Sequence, residues 1–188
     1  MKFLLKTARE EQRVLNELLN HYETNSLESV YDSYSDDRKS LIRPFSLPDQ
    51  AYIDKWLNTP YIHKEFKEGT PVFTTLKGER VRSKSEQLIA DRLYLRGIPY
   101  KYECPLIING QVFHPDFTIL RVSDRQVVYY EHLGRMDDPD YASDTVNKIK
   151  IYELNGYVLG ANLFTTMESS TCPLDIRIVD TMIDKLFR

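Results

Sequence analysis

Two acidic residues stand on neighbouring apolar stretches of this chain. Asp116 lies in His114-Pro115-Asp116-Phe117-Thr118-Ile119, and Glu131 in Val127-Val128-Tyr129-Tyr130-Glu131-His132-Leu133-Gly134. Burying a carboxylate without a partner is costly, so an Asp in one strand and a Glu at the end of its hairpin mate call for a cation, donors or solvent. A shared divalent metal would satisfy both. Mg²⁺ and Mn²⁺ take oxygen ligands, and Mg²⁺ is commonly held by one or two carboxylates with waters and substrate phosphate completing the shell. A metal placed there would polarise a phosphoryl oxygen, lower the pKa of an attacking water and neutralise charge on the leaving oxygen. The chemistry these residues could perform is phosphodiester hydrolysis.

A third carboxylate, Glu86, follows Arg82-Ser83-Lys84-Ser85. Taken together, Glu86, Pro115-Asp116 and Glu131 resemble the helix Glu, PD and (D/E) elements of the PD-(D/E)xK nuclease superfamily, over about residues 79 to 188. The resemblance implies a restriction-endonuclease-like fold, a Mg²⁺ or Mn²⁺ cofactor held by Asp116, Glu131 and Glu86, and cutting of DNA in defence, mobile-element processing or repair. One position departs from the pattern: where the motif has Lys, two residues after Glu131, this chain has Leu133. Some relatives supply the lysine from the following helix, and Lys148 or Lys150 could do so here. Lys148 is preferred, because Ile151 and Tyr152 stand three and four residues beyond it on the same helix face, while Lys150 lies off that stripe. Lys148 would then orient the attacking water and stabilise charge on the phosphorus centre.

Other polar residues read more weakly. Glu86 alone could simply favour a helix dipole. His132 suits a supporting role beside Glu131, and Glu103 is a reserve acid that could face Asp116 across a hairpin if the register allows. Arg80, Arg82 and Lys84 form either a solvated basic face or contacts to phosphates flanking the cut. The tyrosines near the site, Tyr129, Tyr130, Tyr141 and Tyr152, read mostly as core or rim packing.

The elements that must position these groups follow from periodicity. An amphipathic helix is predicted from Thr7 to about 25, with Ala8, Val14, Leu15, Leu18 and Leu19 on one face. Residues 26–39, rich in Ser, Asp and Tyr, read as a connection. Ser46-Leu47-Pro48-Asp49 looks like a helix start, with Tyr52, Ile53, Trp56 and Leu57 at helical spacing. Val72 to Leu76 has β-forming side chains. Ser83 or Ser85 caps a helix running to about Arg96, with Gly97 as its stop and Glu86 in its first turn. Three extended segments follow, Tyr100 to Ile108, Phe113 to Val122 and Val127 to His132, with Asn109-Gly110 as a hairpin turn. A helix from about Tyr141 to Leu154, a strand through Tyr157–Gly160 and Asn162–Thr166, and a helix beyond Pro173 complete the pattern. This predicts an α/β fold, a mixed sheet flanked by helices, at 71–188, with a helical arm at 1–70.

Composition fits that reading. In 188 residues, 41% hydrophobic and 28% charged are ordinary values for a globular chain, and no apolar run is long enough for a membrane helix. No membrane association and a cytoplasmic location are therefore expected, with Cys104 and Cys172 as reduced, buried thiols. A net charge of −3 argues against coating nucleic acid nonspecifically, but not against a metal-bearing site for it. DNA is the expected partner, with RNA open, and a homodimer or partner protein could dock through the N-terminal helices. There is no nucleotide-binding G-x-x-x-x-G-K-[ST] loop. The competing reading is an inactive nuclease-fold subunit that binds nucleic acid or docks another protein.

Overall fold

The computed structural model describes residues 2–25, 27–42 and 47–187. The chain divides into two units, Met1–Tyr52 and Ile53–Arg188. The first holds α1 (Lys2–Asn25), α2 (Leu27–Asp32) and α3 (Asp36–Leu41); α4 (Asp49–Asn58) begins in it and crosses the division. Ser46, read as part of a helix start, and Ser26 lie outside the described residues. The short helices α2 and α3 stand where composition predicted only a connection. Along α1 the apolar stripe of Leu5, Val14, Leu15, Leu18 and Leu19 is exposed.

Residues 53–70, assigned from sequence to the arm, belong instead with the second unit. The cause is a set of side-chain bonds that lash an irregular segment to the sheet. Lys101 Nζ donates to Thr59 O (2.8 Å), Tyr61 Oη to Tyr102 O (2.9 Å), and Arg80 Nη2 to Thr70 O (2.8 Å). These contacts satisfy backbone carbonyls that have no ladder of their own.

The second unit is mixed α/β. Its central sheet contains β3 (Tyr100–Tyr102), β6 (Phe117–Arg121), β7 (Gln126–Leu133) and β8 (Leu163–Met167), in that spatial order. β3–β6 and β6–β7 are antiparallel, whereas β7–β8 is parallel and needs the long crossover carrying α6 (Pro139–Leu154). Alternation along β6 and β7 sorts the faces. Phe117, Ile119, Val128 and Tyr130 pack with Ile89, Ala90 and Leu93 of α5 (Lys84–Leu95) and with Val179, Ile183 and Phe187. Val179 lies on α7 (Ile176–Met182), which continues as a π-helical turn, Ile183–Phe187. Tyr152 of α6 packs with Leu106, Ile108 and Leu163 in a second cluster. A small ribbon, β1 (Phe73–Thr74) paired with β2 (Arg80–Val81), leads into α5.

The predicted strand at 100–108 is broken. β3 stops at Tyr102, Glu103 takes a left-handed backbone (φ 46°), and β4 (Leu106–Ile108) pairs with β5 (Gln111–Phe113) in a separate ribbon. Asn109 and Gly110, both at positive φ, make the expected tight turn. Between the two ladders lie 103–105 and 114–116, which carry Pro105 and Pro115. Neither proline has an N–H for a ladder, so pairing lapses on both strands at once. Asp116 sits where it resumes. The strand expected through Tyr157–Gly160 is reduced to one bridge at Leu159, and β8 begins at Leu163.

Candidate active site

Register explains how the two acids meet. Phe117 pairs with Tyr130, so Asp116 and Glu131 occupy the next step of the same ladder and point to the face covered by α6. Asp116 Oδ2 accepts the backbone N–H of His132 at 2.7 Å. Glu131 is 2% exposed. Its Oε1 accepts from Tyr152 Oη (2.8 Å), and Lys148 Nζ lies 2.7 and 2.8 Å from its two oxygens. Lys148 and Tyr152 are four residues apart on α6, one helical turn, which aims both at the same carboxylate. Lys150 is exposed on the other side of the helix.

Glu86 reaches the site from the first turn of α5. Ser83 caps that helix by accepting the N–H of Glu86 (3.1 Å), and Glu86 Oε2 accepts from Arg82 N (2.9 Å) and Tyr102 Oη (2.6 Å). The helix-terminus role weighed for Glu86 is therefore present, together with proximity to Asp116. Burial pushes the Asp116 carboxyl well above the ordinary Asp range, and the charges of Glu131 and Glu86 push it further; the His132 N–H and Lys148 oppose this. Tyr152 and Tyr102 are also pushed up, first by burial and then by the carboxylates they serve, which keeps them neutral donors.

Asp116 and Glu131 are hard oxygen donors, and the excess negative charge around Asp116 is what a divalent cation would offset. The residues present fit Mg²⁺ or Mn²⁺. Among the described residues, however, no three His, Cys, Asp or Glu side chains gather as a complete shell. The three-carboxylate shell expected from sequence is thus reduced to a pair, with Glu86 held back by its bonds to Tyr102 and Arg82. Mg²⁺ tolerates this, because waters and substrate phosphate fill its remaining positions.

Several sequence-nominated residues serve elsewhere. Glu103, the reserve acid, does not join Asp116; its carboxylate takes two bonds from Arg82 (2.8 and 2.9 Å) and an ion pair from Lys64 (3.4 Å). Arg82 also donates to Glu65 O (3.1 Å) and stacks on Phe66 (4.4 Å), and Arg80 covers Phe66 at 4.3 Å. Both guanidiniums are thus engaged within the fold. Lys84 is exposed. Cys104 is only half-buried and Cys172 exposed, against the expectation of two buried thiols.

His132 lies within a chain of polar side chains beside the acids. Its Nδ1 lies 2.9 Å from Thr166 Oγ1, which is 2.6 Å from Tyr130 Oη, and its Nε2 lies 3.2 Å from Glu168 Oε1. Glu168 Oε1 accepts from Ser85 Oγ (2.8 Å) and Oε2 from Leu174 N (3.0 Å), tying β8 to the start of α5. Burial raises the Glu168 carboxyl, but these donors outweigh it and hold it below the ordinary Glu value. Sequence reasoning missed Tyr102, Tyr152 and Glu168 as parts of the site. Tyr152 could have been found from its i+4 relation to Lys148; Glu168 depends on parallel pairing that no local pattern reveals.

Comparison with family models, with curated proteins and with solved structures finds no match to this chain. The functional reading therefore rests on residues and geometry. Among the described residues no helix is long and apolar enough to cross a membrane.

Proposed function

We propose that this chain is a divalent-metal-dependent endonuclease of restriction-endonuclease-like fold and PD-(D/E)xK type, acting on DNA. The observation that carries the reading is Lys148. Its ammonium, delivered from α6, meets buried Glu131 beside the half-buried Asp116, where the acids are paired by strand register. A helix-borne lysine thus stands in for the one missing at Leu133. The four-stranded mixed sheet with helices on both faces is compatible with the proposed fold.

A divalent cation bound there supplies charge neutralisation at the phosphate and polarises its oxygens. Asp116 and Glu131 offer the carboxylate oxygens that would hold it. Tyr152 fixes the rotamer of Glu131 through its hydroxyl, and the His132 N–H fixes Asp116. Lys148, one-third exposed, can turn its ammonium from Glu131 toward a phosphate oxygen or toward the attacking water. In the reaction, the water oxygen forms a bond to phosphorus and gives up a proton to solvent as the bond to one sugar oxygen breaks. That oxygen departs as alkoxide and takes a proton from solvent, so that the products are a phosphate monoester end and a sugar hydroxyl.

A second reading, a catalytically inactive binding or docking subunit on this scaffold, is favoured by one feature: both Glu131 oxygens are already engaged, by Tyr152 and Lys148. Cleavage separates the two. Plasmid, linear duplex, single-stranded DNA and RNA are incubated with the protein in Mg²⁺, Mn²⁺ or EDTA. The endonuclease reading expects DNA cleavage that EDTA abolishes and that Asp116→Ala lowers by about 10²-fold or more, since even groups that only support metal ligands are worth 10 to 100-fold. Folded protein that cuts no substrate in either metal overturns it.

A further inference from the structure

A centre with three carboxylates and one ammonium repels the polyanion it is proposed to cut, so the strand must be gripped by cations at the rim. The guanidiniums of Arg80 and Arg82 are already engaged with Thr70 O, Phe66 and Glu103. A different arginine stands at the mouth of the site. Arg135 follows Gly134 in the turn after β7, four residues beyond Glu131.

Its guanidinium lies 4.9 Å over the ring of Tyr141, on the first turn of α6. Tyr141 is part of the site's surroundings. Its hydroxyl accepts the N–H of Gly134 (3.3 Å), and Asp116, Lys148 and Glu131 all act on it electrostatically. The turn itself is well held. Met136 N donates to Glu168 O (3.1 Å), Asp138 N to Arg135 O (3.0 Å), and a Cβ on Gly134 would already touch Glu168 and His132. Yet the Arg135 side chain is 68% exposed, and its ion-pair distance to Asp138 Oδ2 is 3.6 Å, long for a charge-assisted bond. Asp138 is chiefly a helix cap, its Oδ1 accepting from Asp140 N and Tyr141 N.

We propose that Arg135, stacked on Tyr141, is a substrate-holding residue that grips a backbone phosphate flanking the scissile one. A guanidinium pressed on an aromatic face is pre-organised, weakly hydrated and shaped for two parallel bonds to phosphate oxygens. The contact carries no base information, so it serves any sequence. The inference rests on the nuclease reading and deepens it by naming part of the substrate grip.

The test is equilibrium binding of a labelled DNA duplex across a salt series, in EDTA and in Ca²⁺, alongside cleavage in Mg²⁺. Arg135→Ala should weaken binding about tenfold and make the slope of log K against log salt shallower by about one, the signature of one lost phosphate contact. In cleavage it should raise KM more than it lowers kcat. Arg135→Lys should restore the slope but not the full affinity. Arg177→Ala, which removes an 86% exposed arginine from α7, should leave the slope unchanged. If the wild type binds or cuts DNA and Arg135→Ala matches it in slope and KM, the inference fails while the nuclease reading stands. If the wild type neither binds nor cuts any polynucleotide, both fail.

Discussion

Two groups of acids in this chain, Glu103 alone and Asp116 with Glu131 and Glu86, are compensated in opposite ways. Glu103, 4% exposed, has two bonds from Arg82 and a second cation in Lys64: one acid, two cations. Among the described residues only one cation makes a bond to Asp116, Glu131 or Glu86, namely Lys148 to Glu131, and Asp116 is driven up by burial and by its neighbours. Arg82 feels the charge of Glu86, but its side-chain bonds go to Glu103. Burial alone therefore does not mark a functional carboxylate. The first group uses its charges to strap residues 64 and 65 to the sheet, whereas the second keeps a surplus of negative charge that only a proton or a bound cation relieves.

The sharpest way to break this comparison is through the single cation of the second group. Lys148→Ala should lower cleavage by about 10²- to 10³-fold, the range for removing a preorganised charge donor, while Lys150→Ala should stay near wild type. Initial rates on supercoiled plasmid read the difference. If Lys150→Ala is the damaging substitution, the pairing of Lys148 with Glu131 is a structural tie like that of Arg82 with Glu103, and the two groups are not distinct.

Stability should split them next, with a smaller effect. Glu103→Gln leaves Arg82 without its carboxylate in a part-buried setting. It should cost about 2–4 kcal/mol, reduced from the fully buried case because Arg82 keeps some solvent. Asp116→Asn should cost nothing or gain stability in metal-free protein, since it removes charge from a crowded site and retains an oxygen for the His132 N–H. Urea unfolding of both variants measures this. Equal destabilisation would mean that both acids are structural.

Much of the second group was legible in sequence because its signals are local. Two acids on neighbouring apolar stretches called for a shared partner, and helical spacing chose Lys148 over Lys150; the register that sets the two acids side by side comes from the strand pairing. The first group was not legible. Arg82 and Glu103 are distant in sequence, and their pairing depends on a left-handed residue and on two prolines that interrupt both strands together, which split the predicted meander into the central sheet and the separate β4–β5 ribbon. Glu168 was hidden for a related reason: it reaches His132 and Ser85 only through the parallel pairing of β7 with β8. The helices at α2 and α3 were missed because Ser- and Asp-rich segments favour turns in isolation and cap short helices equally well.

Thermal unfolding with and without divalent cation tests most directly whether the surplus charge is a cation site. An acid whose folded pKa is raised contributes stability that is complete below its ordinary value, 3.8 for Asp116, and is lost as pH rises through the folded value. Metal-free protein should therefore lose this contribution as pH is raised from about 4 toward neutral and beyond. Glu168 and Asp175, the latter held at about 2, are lowered acids whose stabilising effect is lost only on further acidification. Mg²⁺ or Mn²⁺ should restore what the lost proton supplied, by about 2.7 kcal/mol at 100 times Kd, with a larger rise in Tm at the higher pH. Asp116→Asn should abolish both the pH effect and the metal effect. Wild-type protein whose Tm ignores both cations throughout that pH range, or a variant that gains as much from them, would contradict the reading of Asp116 and Glu131 as the metal-holding pair.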